Sequence, residues 1–306
     1  MHYSVLLNES IELLNIKPDG VYVDGTFGRG GHSRAILAQL GEAGRLIAFD
    51  KDPEAIAYAA KSIGDSRFQI IHGSFVQLKD VLAGQGLSGV DGILLDLGVS
   101  SPQLDTPERG FSFRFDAPLD MRMDNSSGIS AAQWLNSAEE REIAEVLWRY
   151  GEEKFSRRIA REIINQRQNK PLTTTSELAN LVAKIMPFRE KGQHPATRTF
   201  QGLRIKVNNE LGDLESFLQT AGDLLNEQAR IVVISFHSLE DRIVKTSFAT
   251  LASSENLPKW VLANPKESDF RVIARKVKAG VGELGENVRS RSAIMRALER
   301  SRAKSN

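Results

Sequence analysis

Apolar residues recur along this chain in two rhythms. Over the first hundred positions, short β-branched and aliphatic runs predict strands at Val21–Asp24, Leu46–Asp50, Phe68–His72 and Gly92–Leu97. Amphipathic stretches predict helices near 32–40, 53–63 and 75–83 between them. That alternation is the spacing of βαβ units and predicts a parallel sheet. It stops after Leu97 and resumes with RIVVIS, Arg230–Ser235, a continuous apolar run suited to a buried parallel strand. A last strand is predicted at Phe270–Val277, where the basic residues suit an edge position.

The intervening stretch has helical periodicity. Ser137 and Glu140 have capping-box spacing ahead of a helix that Gly151 can end. Phe155–Gln168 places Ile159, Ile163 and Ile164 on one face and four arginines elsewhere. Ser176 is placed to cap a helix that stops before Pro187, and Phe200, Leu203, Val207 and Leu211 form a further stripe. The pattern predicts a discontinuous α/β core, residues 1–107 and 203–306, interrupted by a helical domain over 108–202.

Composition narrows the function classes. With 306 residues, 41% apolar and 26% charged, the chain has the make-up of a soluble globular protein of about two domains. There is no cysteine, which excludes disulfides and thiolate chemistry, and the five histidines have no metal-ligand spacing, so no metal site is expected. No signal-peptide pattern and no membrane-spanning apolar run is present, and a cytoplasmic location is expected. The net charge of +1 hides an asymmetry. Residues 1–100 hold eight Lys/Arg against twelve Asp/Glu, whereas residues 270–306 hold ten against three. Segment 187–206, with Arg198 and Arg204, is also basic. Basic zones of this kind suit a polyanion, and the tail arginines Arg296, Arg300 and Arg302 are candidates for phosphate contact. A solvated terminal helix is the alternative for that tail.

The densest chemical signal is VDGTFGRGGHS, Val23–Ser33, in which a strand ends in Asp24 and Gly25, Gly28, Gly30 and Gly31 crowd the following turn. Glycines there let backbone approach a nucleotide-like ligand. The second predicted strand ends in Asp50, placed for ribose hydroxyls. Ser33 stands where a dinucleotide fingerprint has its third glycine, and Asp24 would repel a pyrophosphate. An acid suits a ligand carrying an ammonium and a sulfonium, so S-adenosylmethionine is favoured over NAD. Strand four ends as LLDLGVSSPQLD and puts Asp96 beside that site. Acceptors there that hold the N–H groups of a base's exocyclic amine out of plane would localise its lone pair for methylation. His237, directly after strand five, is a candidate to position the base or relay a proton, or else a structural histidine. Ser238 and Asp241 look like a helix cap. Arg109, Phe111 and Phe113, in ERGFSFRFD, suit stacking and phosphate contact with a splayed single strand, or form a hydrophobic hinge.

These stretches, with HGSF, PLDMRMD, YGEEKFSRRIAR, TRTFQGLRIKVNNEL and VVISFHSLEDRIVK, resemble the bacterial RsmH/MraW family from His2 to about Arg296. The resemblance implies a class I, Rossmann-like S-adenosylmethionine-dependent methyltransferase core with an inserted α-helical domain that recognises rRNA. It implies a 16S rRNA (cytosine-N4)-methyltransferase acting on one cytidine of the decoding region, within the small ribosomal subunit. Carried over by matching positions, Gly30, Gly31, His32, Asp50, Phe75, Asp96 and Gln103 would hold the cofactor. The loop Ser100, Ser101, Pro102 lacks the aromatic residue of the common amino-methyltransferase motif, which leaves Phe236 and the Phe111–Phe115 cluster as candidate stacking partners. Either Asp96 or a backbone carbonyl near Leu97 or Gly98 would accept the amine. The pattern is compatible with a homo-oligomer.

Overall fold

The computed structural model describes residues 4–186, 194–253 and 268–301. Its first part runs α1 (Leu7–Leu14), β1 (Val21–Asp24), α2 (Gly31–Leu37), β2 (Arg45–Asp50), α3 (Pro53–Ser62), β3 (Phe68–His72), α4 (Leu78–Gly84) and β4 (Val90–Asp96). Of these four helices, α3 has a locally encoded start. Asp52 accepts the Glu54 amide at 3.0 Å and Pro53 follows at the first helical position.

The middle part is helical: α5 (Ser101–Asp105), α6 (Ala131–Ser137), α7 (Glu140–Arg149), α8 (Ser156–Asn169), α9 (Thr175–Ile185) and α10 (Thr197–Asn208). Two caps differ from expectation. Ser137 closes α6, donating to the Gln133 carbonyl at 2.9 Å, and the capping box is one helix earlier, at Ser130 and Gln133. Thr174, not Ser176, caps α9, and Glu177 reaches back to the Thr174 amide at 3.2 Å. Serines are frequent near helix starts, and the backbone angle that selects one of them is invisible in the sequence.

The chain returns through α11 (Glu210–Thr220), β5 (Leu225–Ser235), α12 (Ser238–Leu251), β6 (Phe270–Val277), α13 (Val281–Glu286) and β7 (Ile294–Arg300). The seven strands lie in the order β3-β2-β1-β4-β5-β7-β6. The first five are parallel, and β7 is inserted antiparallel between β5 and β6. This is the class I, Rossmann-like methyltransferase sheet. Its faces divide by the alternation of strand residues. Ile93, Leu95, Ile231 and Val233 pack against α11 and α12, while Leu94, Val232 and Ile234 pack with α1 and α2 residues.

β7 corrects the reading of the tail. Arg296 is 9% exposed, and its guanidinium donates to both Asp241 oxygens at 2.7 and 2.9 Å. Arg300 donates to the Leu225 carbonyl at 2.6 Å. Neither is a free phosphate contact, and Arg302 lies outside the described residues. The apolar residues Ile294, Met295, Ala297 and Leu298 make this segment a strand whose cations are spent internally.

Two compact units result, residues 1–98 with 211–306, and residues 99–210. They divide at Gly98/Val99 and Glu210/Leu211, against 107/108 and 202/203 expected, because α10 runs unbroken to Asn208 and α5 falls in the second unit. The second unit has its own core, built on residues such as Leu135, Leu147, Ile159, Ile163 and Leu178. Among the described residues, no helix is long and apolar enough to cross a membrane.

Candidate donor-binding and active site

Strand order reverses between β1 and β4, and open α/β sheets place ligands at the carboxyl ends of the strands flanking such a point. The glycine turn lies there. Gly28 and Gly30 have φ of +56° and +70°, and a Cβ on Gly31 would collide with the Ser4 hydroxyl. Gly25 donates its amide to the Leu94 carbonyl at 2.8 Å, and a Cβ there would collide with Leu95. Backbone and glycines together leave a bare turn over the ends of β1 and β4.

Asp50 fixes the other side of that turn. Its Oδ2 accepts the Gly28 amide at 2.7 Å and its Oδ1 the Asp52 amide at 2.8 Å. Burial pushes the carboxyl up to about 6, against those two hydrogen bonds. A carboxylate has about four acceptor directions, so two remain for hydroxyl donors. Phe75 follows β3 and is buried, with its ring edge-on to Phe217 at 5.2 Å.

Asp24 has a different role from the one expected. It is 1% exposed; Oδ2 accepts the Ser33 hydroxyl at 2.6 Å and Oδ1 the Thr26 amide at 3.2 Å. Ser33 thus replaces the third glycine of a dinucleotide fingerprint because it holds a buried acid. Burial pushes Asp24 up, opposed by His32. His32 is buried, and its Nε2 donates to the Val5 carbonyl at 3.1 Å, a partner that can only accept. Burial lowers the His32 pKa, opposed by the charge of Asp24, and its Nδ1 lies 3.8 Å from Asp96 Oδ2.

Asp96 ends β4, its amide donating to the Thr26 hydroxyl at 2.7 Å. Burial pushes its carboxyl well above the usual range, reinforced by the charges of Asp24, Glu240 and Glu283. Its Oδ1 is buried and has no hydrogen-bond partner among the described residues. A buried, orphaned carboxylate oxygen costs free energy unless a donor or cation meets it. An adenosine ligand with a sulfonium and an ammonium fits this set of residues: hydroxyl acceptors at Asp50, a bare glycine turn, and accumulated negative charge at Asp96.

The end of β5 explains His237. Its Nδ1 accepts the Glu240 amide at 3.5 Å, and Glu240 Oε2 accepts the Phe236 and His237 amides at 2.8 and 3.3 Å. His237 and Glu240, rather than Ser238 and Asp241, form the capping box of α12. Asp241 is instead the partner of Arg296. Phe236 is half-buried beside them, and a Cβ on Gly98, at the end of β4, would lie 3.5 Å from its ring.

The remaining sequence candidates belong to the second unit. Gln103 is buried, and its Oε1 accepts the Ser100 amide at 2.9 Å at the start of α5, which Ser101 and Pro102 open. Arg109, Phe111 and Phe113 are not an open stacking platform. Arg109 is 5% exposed and donates to the Arg122 and Met123 carbonyls at 3.1 and 2.8 Å. Phe111 is in the core, and Phe113 packs on His194 and Phe200 at 4.5 and 4.9 Å. Arg198 is half-buried in the first turn of α10. Asn208, which the sequence reading missed, brackets the same segment. It donates to the Met121 carbonyl and accepts the Met123 amide, both at 2.7 Å, and holds Met121 at a φ of 65°. Glu283 was also missed; it accepts the Leu6 amide at 3.0 Å and adds its charge near Asp96.

Comparison with known proteins adds the family. The MraW methylase family matches residues 1–301. A ribosomal RNA small subunit methyltransferase H of Chromobacterium violaceum is 56% identical over 307 residues, covering 99% of this chain and 96% of that protein. The protein of the same name from Thioalkalivibrio sulfidiphilus is 54% identical over 307 residues, covering 98% and 97%. That of Neisseria meningitidis serogroup B is 51% identical over 304 residues, covering 98% and 93%. With a methyltransferase sheet, a glycine turn and an acid at the end of each of three neighbouring strands, the chain belongs to the MraW methylase family, with S-adenosylmethionine as its cofactor.

Proposed function

We propose that this protein transfers a methyl group from S-adenosylmethionine to the exocyclic N4 amine of one cytidine in the decoding region of 16S rRNA, within the small ribosomal subunit. The relatives' name, ribosomal RNA small subunit methyltransferase H, supports the substrate class. Asp96 carries the chemistry of the reading: a buried carboxylate oxygen at the carboxyl edge with no hydrogen-bond partner among the described residues.

Gly30, Gly31 and His32 would line the methionine end of the donor, Asp50 would hold the ribose, and Phe75 would back the adenine. The donor supplies a methyl group already activated on a sulfonium. The task left to the protein is placement, bringing N4 to about 3–3.5 Å in line with the methyl carbon. Cytosine N4 is a poor nucleophile because its lone pair is delocalised into the ring. An Asp96 oxygen accepting from the amine draws its N–H groups out of the ring plane and localises the pair. A cation beside Asp96 favours the ionised carboxylate that this role requires. The chain has no cysteine, so the thiolate attack on C6 used in ring-carbon methylation is not available to it. The cytidine must leave its stack, at a cost of a few kcal/mol. Phe236, half-buried beside the end of β4, is the stacking partner in this reading. The helical unit recognises the rRNA around the target.

Single-turnover transfer at saturating donor tests the role of Asp96. Asp96→Ala is expected to slow the step even when the donor site is full. A variant that binds donor more weakly yet reaches the wild-type rate at saturation would assign Asp96 to donor binding alone.

A further inference from the structure

We infer that Asp213 is a positioning residue for the adenosine end of the donor site, an inference that rests on the donor-binding reading above. Asp213 lies in the first turn of α11, three residues past Glu210, where the chain returns from the helical unit. Its Oδ2 takes two hydrogen bonds at once, from Lys51 Nζ at 2.7 Å and from the Ser74 hydroxyl at 2.7 Å. These two residues belong to different turns at the carboxyl edge. Lys51 directly follows the ribose acid Asp50, and its carbonyl accepts from His72 at 3.0 Å. Ser74 precedes the 3-10 turn that begins at Phe75, and the Gly73 amide beside it donates to the Asp50 carbonyl at 2.8 Å.

Asp213 therefore clamps the turn after β2 to the turn after β3. The first carries Asp50 and the second carries Phe75. The same helix supplies the apolar backing, since Phe217, one turn along, packs against the Phe75 ring. At 14% side-chain exposure, the Asp213 carboxylate is shielded enough for charge-assisted hydrogen bonds to hold a geometry rather than exchange with water. The carboxylate touches no part of the ligand in this account. It sets the separation of the two groups that do.

Calorimetry with adenosine and with S-adenosylhomocysteine, alongside thermal melts of the ligand-free protein, tests this. Asp213→Ala is expected to weaken both ligands by the same factor, about tenfold to a hundredfold, the loss of hydrogen bonds to a charged group. Ser74→Ala, which cuts one of the two bonds together with the long 3.5 Å cap on the Val76 amide, is expected to weaken both by a smaller common factor. In steady-state transfer the loss is expected in the donor KM rather than in kcat. Two results would overturn the inference: wild-type affinity for adenosine in a folded Ser74→Ala or Asp213→Ala protein, or a loss confined to S-adenosylhomocysteine. Should Asp213→Ala fail to fold, the isosteric Asp213→Asn, which removes the charge that meets Lys51 and leaves the Ser74 cap intact, decides by the same adenosine measurement. A wild-type protein that binds neither ligand contradicts the donor-site reading itself, a different outcome from binding that ignores Asp213.

Discussion

Acidification should empty the ribose side of the donor site before it unfolds the protein. Asp50 is the group responsible, its carboxyl pushed up to about 6 by burial. Both of its oxygens already accept backbone amides, from Gly28 and Asp52, so the proton of the neutral form would occupy a direction needed by a ribose hydroxyl. If only the ionised form accepts the ribose, the apparent Kd scales as 1 + 10^(pKa − pH). That is about 11-fold at pH 5 and about 1.1-fold at pH 7, a tenfold loss of affinity worth about 1.4 kcal/mol. Stability moves the other way. A carboxyl whose folded pKa lies above its unfolded value of about 4 adds stability as pH falls through 6 toward 4, because the folded state then binds the extra proton. Adenosine is the ligand of choice, since it engages Asp50 without the methionine end near Asp96. Calorimetry from pH 5 to 8, with a melt at each pH, should give a Kd that rises about tenfold from pH 7 to pH 5. The Asp50→Asn protein should bind weakly at every pH, with a flat profile. A flat wild-type profile, or a loss of binding that tracks a falling Tm, would refute the reasoning.

His237 should behave as a cap rather than a proton relay. His237→Ala is expected to cost about 1 kcal/mol of stability, whereas His237→Asn, which restores a short acceptor, should recover both stability and single-turnover rate; a slow Asn variant of wild-type stability contradicts the capping role. Arg296→Ala should lower stability by about 1.5–3 kcal/mol, since it strips the hydrogen-bonded partner from Asp241, and should leave the salt dependence of RNA binding unchanged in a filter-binding titration; a reduced salt slope would return Arg296 to the RNA surface. Gly25→Ala should cost about 1–3 kcal/mol through overpacking against Leu95 and Phe75, and it should weaken donor binding as well, so a stable variant with full affinity counts against the tight turn.

The parallel half of the sheet was legible because its strands are continuous apolar runs, and the switch point was legible because glycines and acids cluster there. β7 was not. Its arginines read as a polyanion contact until the register with β5 placed Arg296 beside Asp241, a partner 55 residues away. Arg109 and Phe111 of ERGFSFRFD misled for a related reason, whereas Phe115 is 62% exposed. Cations interleaved with phenylalanines suit RNA on a surface, but Arg109 instead spends its guanidinium on backbone carbonyls in a buried knot that Asn208 closes. Asp24 looked like a ligand acid, and only the three-dimensional placement of Ser33 shows where its second oxygen goes. Asp213 carried no signal at all, since a lone acid on a helix has none until the turns after β2 and β3 come within its reach.

The direct test is methyl transfer to RNA that lacks the modification. Purified protein, S-adenosylmethionine labelled in the methyl group and unmodified small ribosomal subunits should yield label that appears, after digestion to nucleosides, as N4-methylcytidine at a single decoding-region site. Label on a ring carbon or a ribose oxygen, or donor binding with no transfer to either subunits or free 16S rRNA, would contradict the account.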